Sequence, residues 1–129
     1  MEVSDEHFEA LINEAMGELP QEYIKGLDNV AITFDDEPSA TQREKLKLRC
    51  HDTLYGLYEG IPRTQRGSNY AMVLPDKITL FKKPIEHTSH DMNALKAQIK
   101  NTLWHEIAHH YGLGHNRIHK LEQKMRKRR

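Results

Sequence analysis

His105-Glu106-Ile107-Ala108-His109-His110-Tyr111-Gly112-Leu113-Gly114-His115 has the form H-E-x-x-H-x-x-G-x-x-H. On a helix, residues four apart share one face, so His105 and His109 can point two imidazoles at one metal ion. Glu106 is turned by about 100° from His105. That places its carboxylate beside the ion, where it can take a proton from zinc-activated water. Gly112 can end the helix in a left-handed conformation. The chain then turns back and His115 can supply a third ligand. Three protein ligands with one open position is the pattern of a catalytic zinc site rather than a closed structural one. The competing reading is a histidine-rich helix end with partly buried imidazoles, which leaves Glu106, Gly112 and His115 as coincidences.

The motif needs a helix beneath it, and the preceding residues supply one over 91–111. With His105 at zero, Leu95, Ile99, Leu103 and Ile107 fall between about 80° and 200° around the axis. The apolar stripe and the metal face are therefore separate. Gln98 and Thr102 lie along the ligand side and are candidates to line a cleft. His110 sits about 140° from His105, toward the stripe, and reads as a hydrogen-bonded structural histidine. Trp104 and Tyr111 read as packing residues. Ser89 or Asp91 can cap this helix.

Upstream, 4–19 reads as an amphipathic helix capped by Ser4 or Asp5, with Phe8, Leu11, Ile12, Ala15, Met16 and Leu19 on one stripe. Pro20 stops it, and a helical turn can follow over 21–26. The stretch 29–34 alternates and is β-branched, which predicts a strand. Asp35, Asp36 and Glu37 after it read as a solvated strand end. The polar stretch 39–52 reads as either a charged helix or a surface insertion. Residues 53–70 read as a long loop on the rim of a site. A short strand is expected over 71–74 and a better one over 77–82, with Pro84 pointing to an edge position. Residues 87–90 read as a polar linker. Asn116 can cap a final helix over 117–127, and the basic tail 124–129 reads as a solvated end.

The 129 residues point to a single domain over 1–129, with 19 basic and 19 acidic residues and a formal net charge of zero. That balance gives no general pull toward nucleic acid or an anionic membrane. No window has the apolar length of a signal peptide or a membrane span. Cys50 is the single cysteine, so no internal disulfide can form. Together these features read as a cytoplasmic protein that does not engage a membrane. Nine histidines is an enrichment, and four of them fall between 105 and 115.

The chain resembles the small bacterial zincin-like metallopeptidases called minimal zincins. The likeness is carried by 30–38, by Leu57-Tyr58-Glu59-Gly60-Ile61-Pro62, by Pro75-Asp76-Lys77-Ile78-Thr79-Leu80-Phe81 and by 105–112. It implies an α+β fold in which a small sheet packs on an N-terminal helix and a long zinc-binding helix. It also implies Zn2+ on His105 and His109, with Glu106 as general base and a peptide or protein as substrate. Two departures stand out. Many relatives carry an acidic residue where this chain has His115. Metzincins place a methionine turn after the third ligand, whereas here only 116–129 follow His115 and Met125 falls in an expected helix.

The expected function is a zinc-dependent hydrolase, a metallopeptidase with Glu106 as catalytic base and His105, His109 and His115 as metal ligands. Tyr55, Tyr58, Tyr70 and Arg63 are candidates for stabilising an oxyanion. One alternative is a metal-dependent endoribonuclease, since the His-x3-His-x5-His spacing is shared with the bacterial family that matures ribosomal RNA. That family's motif lacks a Glu after the first His. A second alternative is a non-catalytic binding module stabilised by zinc. Substrate, cleavage mode and oligomeric state are not encoded in any motif.

Overall fold

Ser4 opens the first helix: its Oγ accepts a hydrogen bond from the His7 amide at 3.1 Å. The computed structural model describes residues 1–27, 29–49, 55–60 and 76–113, together with Lys120 and Gln123. Helix α1 runs Asp5–Glu18, with Asp5 and Glu6 in its first turn, where acidic groups complement the helix dipole. Helix α2 covers Gln21–Lys25. Strand β1 is Val30–Asp35 and helix α3 is Ala40–Arg49. Strands β2 and β3 are Gly56–Glu59 and Asp76–Phe81. Helix α4 is Lys82–Thr88 and helix α5 is Met92–His110. The fold is α+β.

The sheet order is β1-β3-β2. Strand β1 runs parallel to β3, from Val30 opposite Asp76 to Asp35 opposite Phe81. Strand β2 runs antiparallel to β3, with Leu57 opposite Thr79 and Tyr58 opposite Ile78. Every β3 residue except Lys77 is buried, as expected of a strand with neighbours on both sides and packing on both faces.

The edge position expected for this strand is therefore wrong: β3 is central. Pro84 lies beyond the strand, as the third residue of α4, where the first-turn N–H groups have no intrahelical partner and proline is tolerated. Residues 87 and 88, read as linker, close that helix. The loop expected over 53–70 contains β2, which pairing with β3 defines. The strand expected over 71–74 and the helix expected over 117–127 lie outside the described residues, apart from Lys120 and Gln123.

The α1 stripe buries Phe8, Leu11, Ile12 and Ala15, and Leu19 follows just beyond it. It packs against α5, whose Leu95, Ile99, Leu103 and Ile107 are fully buried. The other side of α5 meets β2, β3 and α4. Aromatic contacts tie in the flanks: Phe8 meets Phe34 at 5.0 Å between ring centres, and Trp104 meets Tyr23 edge-on at 5.2 Å. Helix α3 opens with a reciprocal cap. Ser39 Oγ accepts from the Gln42 amide at 3.1 Å, and Gln42 Oε1 accepts from the Ser39 amide at 2.9 Å. Gln42 also donates to Glu59 Oε1 at 3.1 Å, which anchors α3 to β2. No helix among the described residues is long and apolar enough to cross a membrane.

Candidate metal centre

Helix α5 starts at Asp91, whose Oδ1 accepts from the Ala94 amide at 2.8 Å. It ends in a Schellman motif. Gly112 adopts φ 74°, its amide donates to the His109 carbonyl at 2.9 Å, and the Leu113 amide donates to the Ala108 carbonyl at 3.0 Å. The left-handed glycine is the conformation that the motif requires at this position.

The four-residue spacing brings His105 and His109 together. Their Nε2 atoms are 3.0 Å apart, and the rings meet nearly edge-on with centres 4.6 Å apart. Both side chains are half-buried. Two nitrogens on one tetrahedral zinc stand about 3.4 Å apart, given Zn–N distances of about 2.0–2.1 Å. The observed pair lies within a few tenths of an ångström of that separation. One ligand atom from each of His105, Glu106 and His109 lies within 4.8 Å of the others. Two imidazole nitrogens at this separation suit zinc in softness and geometry, with a carboxylate beside them, so the residues present fit the ion.

Glu106 differs from the two histidines in being only 2% exposed. Its Oε1 accepts a hydrogen bond from the main-chain N–H of Tyr58 at 2.9 Å. Strand β2 thus lies across the helix face that bears the carboxylate. Thr102 belongs to the same contact: it is buried under β2, and its Oγ1 accepts from Gln98 Nε2 at 3.0 Å. Thr102 lines the strand interface rather than an open cleft.

His110 is fully buried, with Nδ1 at 2.9 Å from Asp76 Oδ2. Its place is the structural one expected from its helical phase. In sequence, Asp76 marks only a turn. The one signal available is an acidic residue two positions before the strand-forming run Ile78-Thr79-Leu80-Phe81. Of the oxyanion candidates, Tyr58 is buried and commits its hydroxyl to Asp76 at 2.7 Å. Tyr55 is half-buried, and its carbonyl accepts from the Phe81 amide at 2.8 Å. Arg63, Tyr70, Cys50 and the third expected ligand, His115, lie outside the described residues.

A family model described as zincin-like metallopeptidase matches residues 27–125. A solved structure of a conserved hypothetical protein from Thermus thermophilus superposes with a TM-score of 0.51 at 21% identity, covering 83% of this chain and 92% of that one. At that identity the likeness speaks for the fold. No protein of curated function matches the chain in sequence.

Proposed function

Because this chain belongs to the zincin-like metallopeptidase family, we propose that it is a zinc-dependent hydrolase of peptide bonds. In this reading His105, His109 and His115 hold the metal and Glu106 is the general base. The observation that carries it is the pair of Nε2 atoms 3.0 Å apart beside a buried carboxylate on the same helix.

Zinc, when bound, supplies Lewis acidity that polarises a carbonyl and lowers the pKa of water. The protein's own contribution is placement. Helix α5 presents both imidazoles on one face, and its buried stripe keeps that face from rotating. Glu106 is oriented by the Tyr58 N–H, so its carboxylate meets an attacking water with little freedom left to lose. It takes a proton from that water and later passes it to the leaving amine as the C–N bond breaks. The substrate is a peptide or protein segment.

The test is cleavage of a broad unfolded-peptide library by the zinc-loaded protein, with Glu106→Gln alongside. We expect the first to cleave. The variant should keep one zinc per chain and lose activity by about 10²-fold or more. A variant of undiminished activity would remove Glu106 as the base, and absence of cleavage by the wild-type protein would count against the peptidase reading.

A further inference from the structure

Asp76 opens the central strand and is only 3% exposed. A buried carboxylate is costly unless its oxygens find partners, and an apolar residue of similar size is often the more stable choice. Its position here therefore calls for a reason. One of its oxygens, Oδ2, serves two partners from two different elements. The Tyr58 hydroxyl of β2 donates to it at 2.7 Å, and His110 Nδ1 at the end of α5 stands 2.9 Å away. The Tyr58 and His110 rings meet edge-to-face at 5.7 Å. Gly60 closes the arrangement, since a Cβ there would collide with the Asp76 carboxylate.

Tyr58 has a second attachment. Its side chain is bound to Asp76, while its main-chain N–H holds Glu106 Oε1 at 2.9 Å. The strand that carries it is only four residues long, Gly56–Glu59. So short a ladder has few pairs to hold its register, and a slip of one residue would turn each of its buried side chains to the opposite face. It would also bring a different main-chain group to Glu106.

We propose that Asp76 is a positioning residue for Glu106. By gripping the Tyr58 hydroxyl and the His110 imidazole on one oxygen, it locks the register of β2 against the end of α5. That fixes the N–H which orients the carboxylate. The consequence for rate rests on the reading of Glu106 as general base; the consequence for geometry does not.

Tyr58→Phe separates the two attachments, because it removes the hydroxyl and keeps the N–H. Amide hydrogen exchange would be followed by NMR on the full chain, with one equivalent of Zn2+ and without it. We expect the amide at position 58 to exchange about tenfold faster or more in the variant, while the Leu95–Leu103 amides of α5 keep their protection. Asp76→Asn should act in the same direction. On cleaved peptides, Tyr58→Phe should lower kcat by about tenfold with KM within about twofold and zinc content unchanged.

Unchanged protection at position 58 in Tyr58→Phe would overturn the proposal. So would a uniform loss across α5, which would mark Asp76 as a general stabiliser. Faster exchange at 58 with unaltered kcat would overturn the link to the base. If the wild-type protein cleaves no peptide, the hydrolase reading fails by itself, and the exchange data still decide whether Asp76 sets the register.

Discussion

Gly56 and Thr102 are in contact so close that a Cβ on the glycine would stand 2.7 Å from Thr102 Cγ2. It would also lie 3.4 Å from Glu106 Cγ. The glycine is needed for close approach of β2 to α5, and the hydrogen bond from Tyr58 to Glu106 depends on that approach. Gly56→Ala should lower stability by about 1–3 kcal/mol, as overpacking of a tight contact does. It should reduce activity further than stability alone explains. Thr102→Ser, which removes the offending methyl and keeps the Oγ1 that accepts from Gln98, should recover part of both. Denaturant unfolding of the single and double variants checks the first effect, and peptide cleavage the second. An unperturbed single variant would show that β2 can move away without penalty.

Removal of the metal should silence the protein without unfolding it. The stripe that seats α5 (Leu95, Ile99, Leu103, Ile107) is fully buried and distinct from the half-buried face bearing His105 and His109. A chelator should therefore abolish hydrolysis while far-UV circular dichroism keeps its native form. His109→Ala should lose the bound zinc by metal analysis and remain folded. Loss of secondary structure on chelation would recast the metal as a structural element.

Truncation inside the stripe should have the reverse signature. Leu103 is completely enclosed, and Leu103→Ala should destabilise the protein by about 2–5 kcal/mol through lost burial and a residual cavity. Zinc stoichiometry of the fraction that remains folded should stay at the wild-type value. Thermal unfolding with metal analysis of the soluble protein tests both statements.

Lys82 gives the stability a predictable alkaline limb. Its Nζ is 2.7 Å from Asp5 Oδ1. That hydrogen bond, with the further charges of Glu86 and Asp36, raises its pKa above the ordinary 10.5, against an opposing contribution from burial. A group whose pKa is raised on folding stabilises fully below its unfolded value. The contribution should therefore be complete below pH 10.5 and fade as the pH climbs from there through the raised folded value. Asp5 is largely exposed, so solvent screening should limit the effect to about 1 kcal/mol or less. Asp5→Asn should flatten this limb in a series of unfolding curves between pH 9 and 12, a span of about three units. An unchanged limb would assign it to another group.

Much of this is legible in the sequence because it is local. The 3.6-residue stripes of α1 and α5, the caps at Ser4 and Asp91 and the alternation in β1 depend on neighbours within a few positions. So does the convergence of His105 and His109. What the sequence hides depends on partners far away in the chain. The stretch Gly56-Leu57-Tyr58-Glu59, between glycines, reads as a loop until β3 pairs with it. Pro84 reads as the end of an edge strand until its place in the first turn of α4 is seen. Asp76 reads as a turn residue, since nothing near it announces Tyr58 or His110. The hold of the Tyr58 N–H on Glu106 involves a main-chain group, which no side-chain pattern encodes.

The parallel pairing of β1 with β3 also decides when the site comes into being. Val30 pairs with Asp76, 46 positions later (76 − 30), and α1 packs on α5, which follows all the strands among the described residues. Such distant closures make folding slow and defer it until the far partners are present. During synthesis β1 and α1 leave the ribosome long before either partner exists. The imidazole pair and its carboxylate therefore gain their setting only once α5 has been made. The elements that steady the centre are thus made before the helix that carries it.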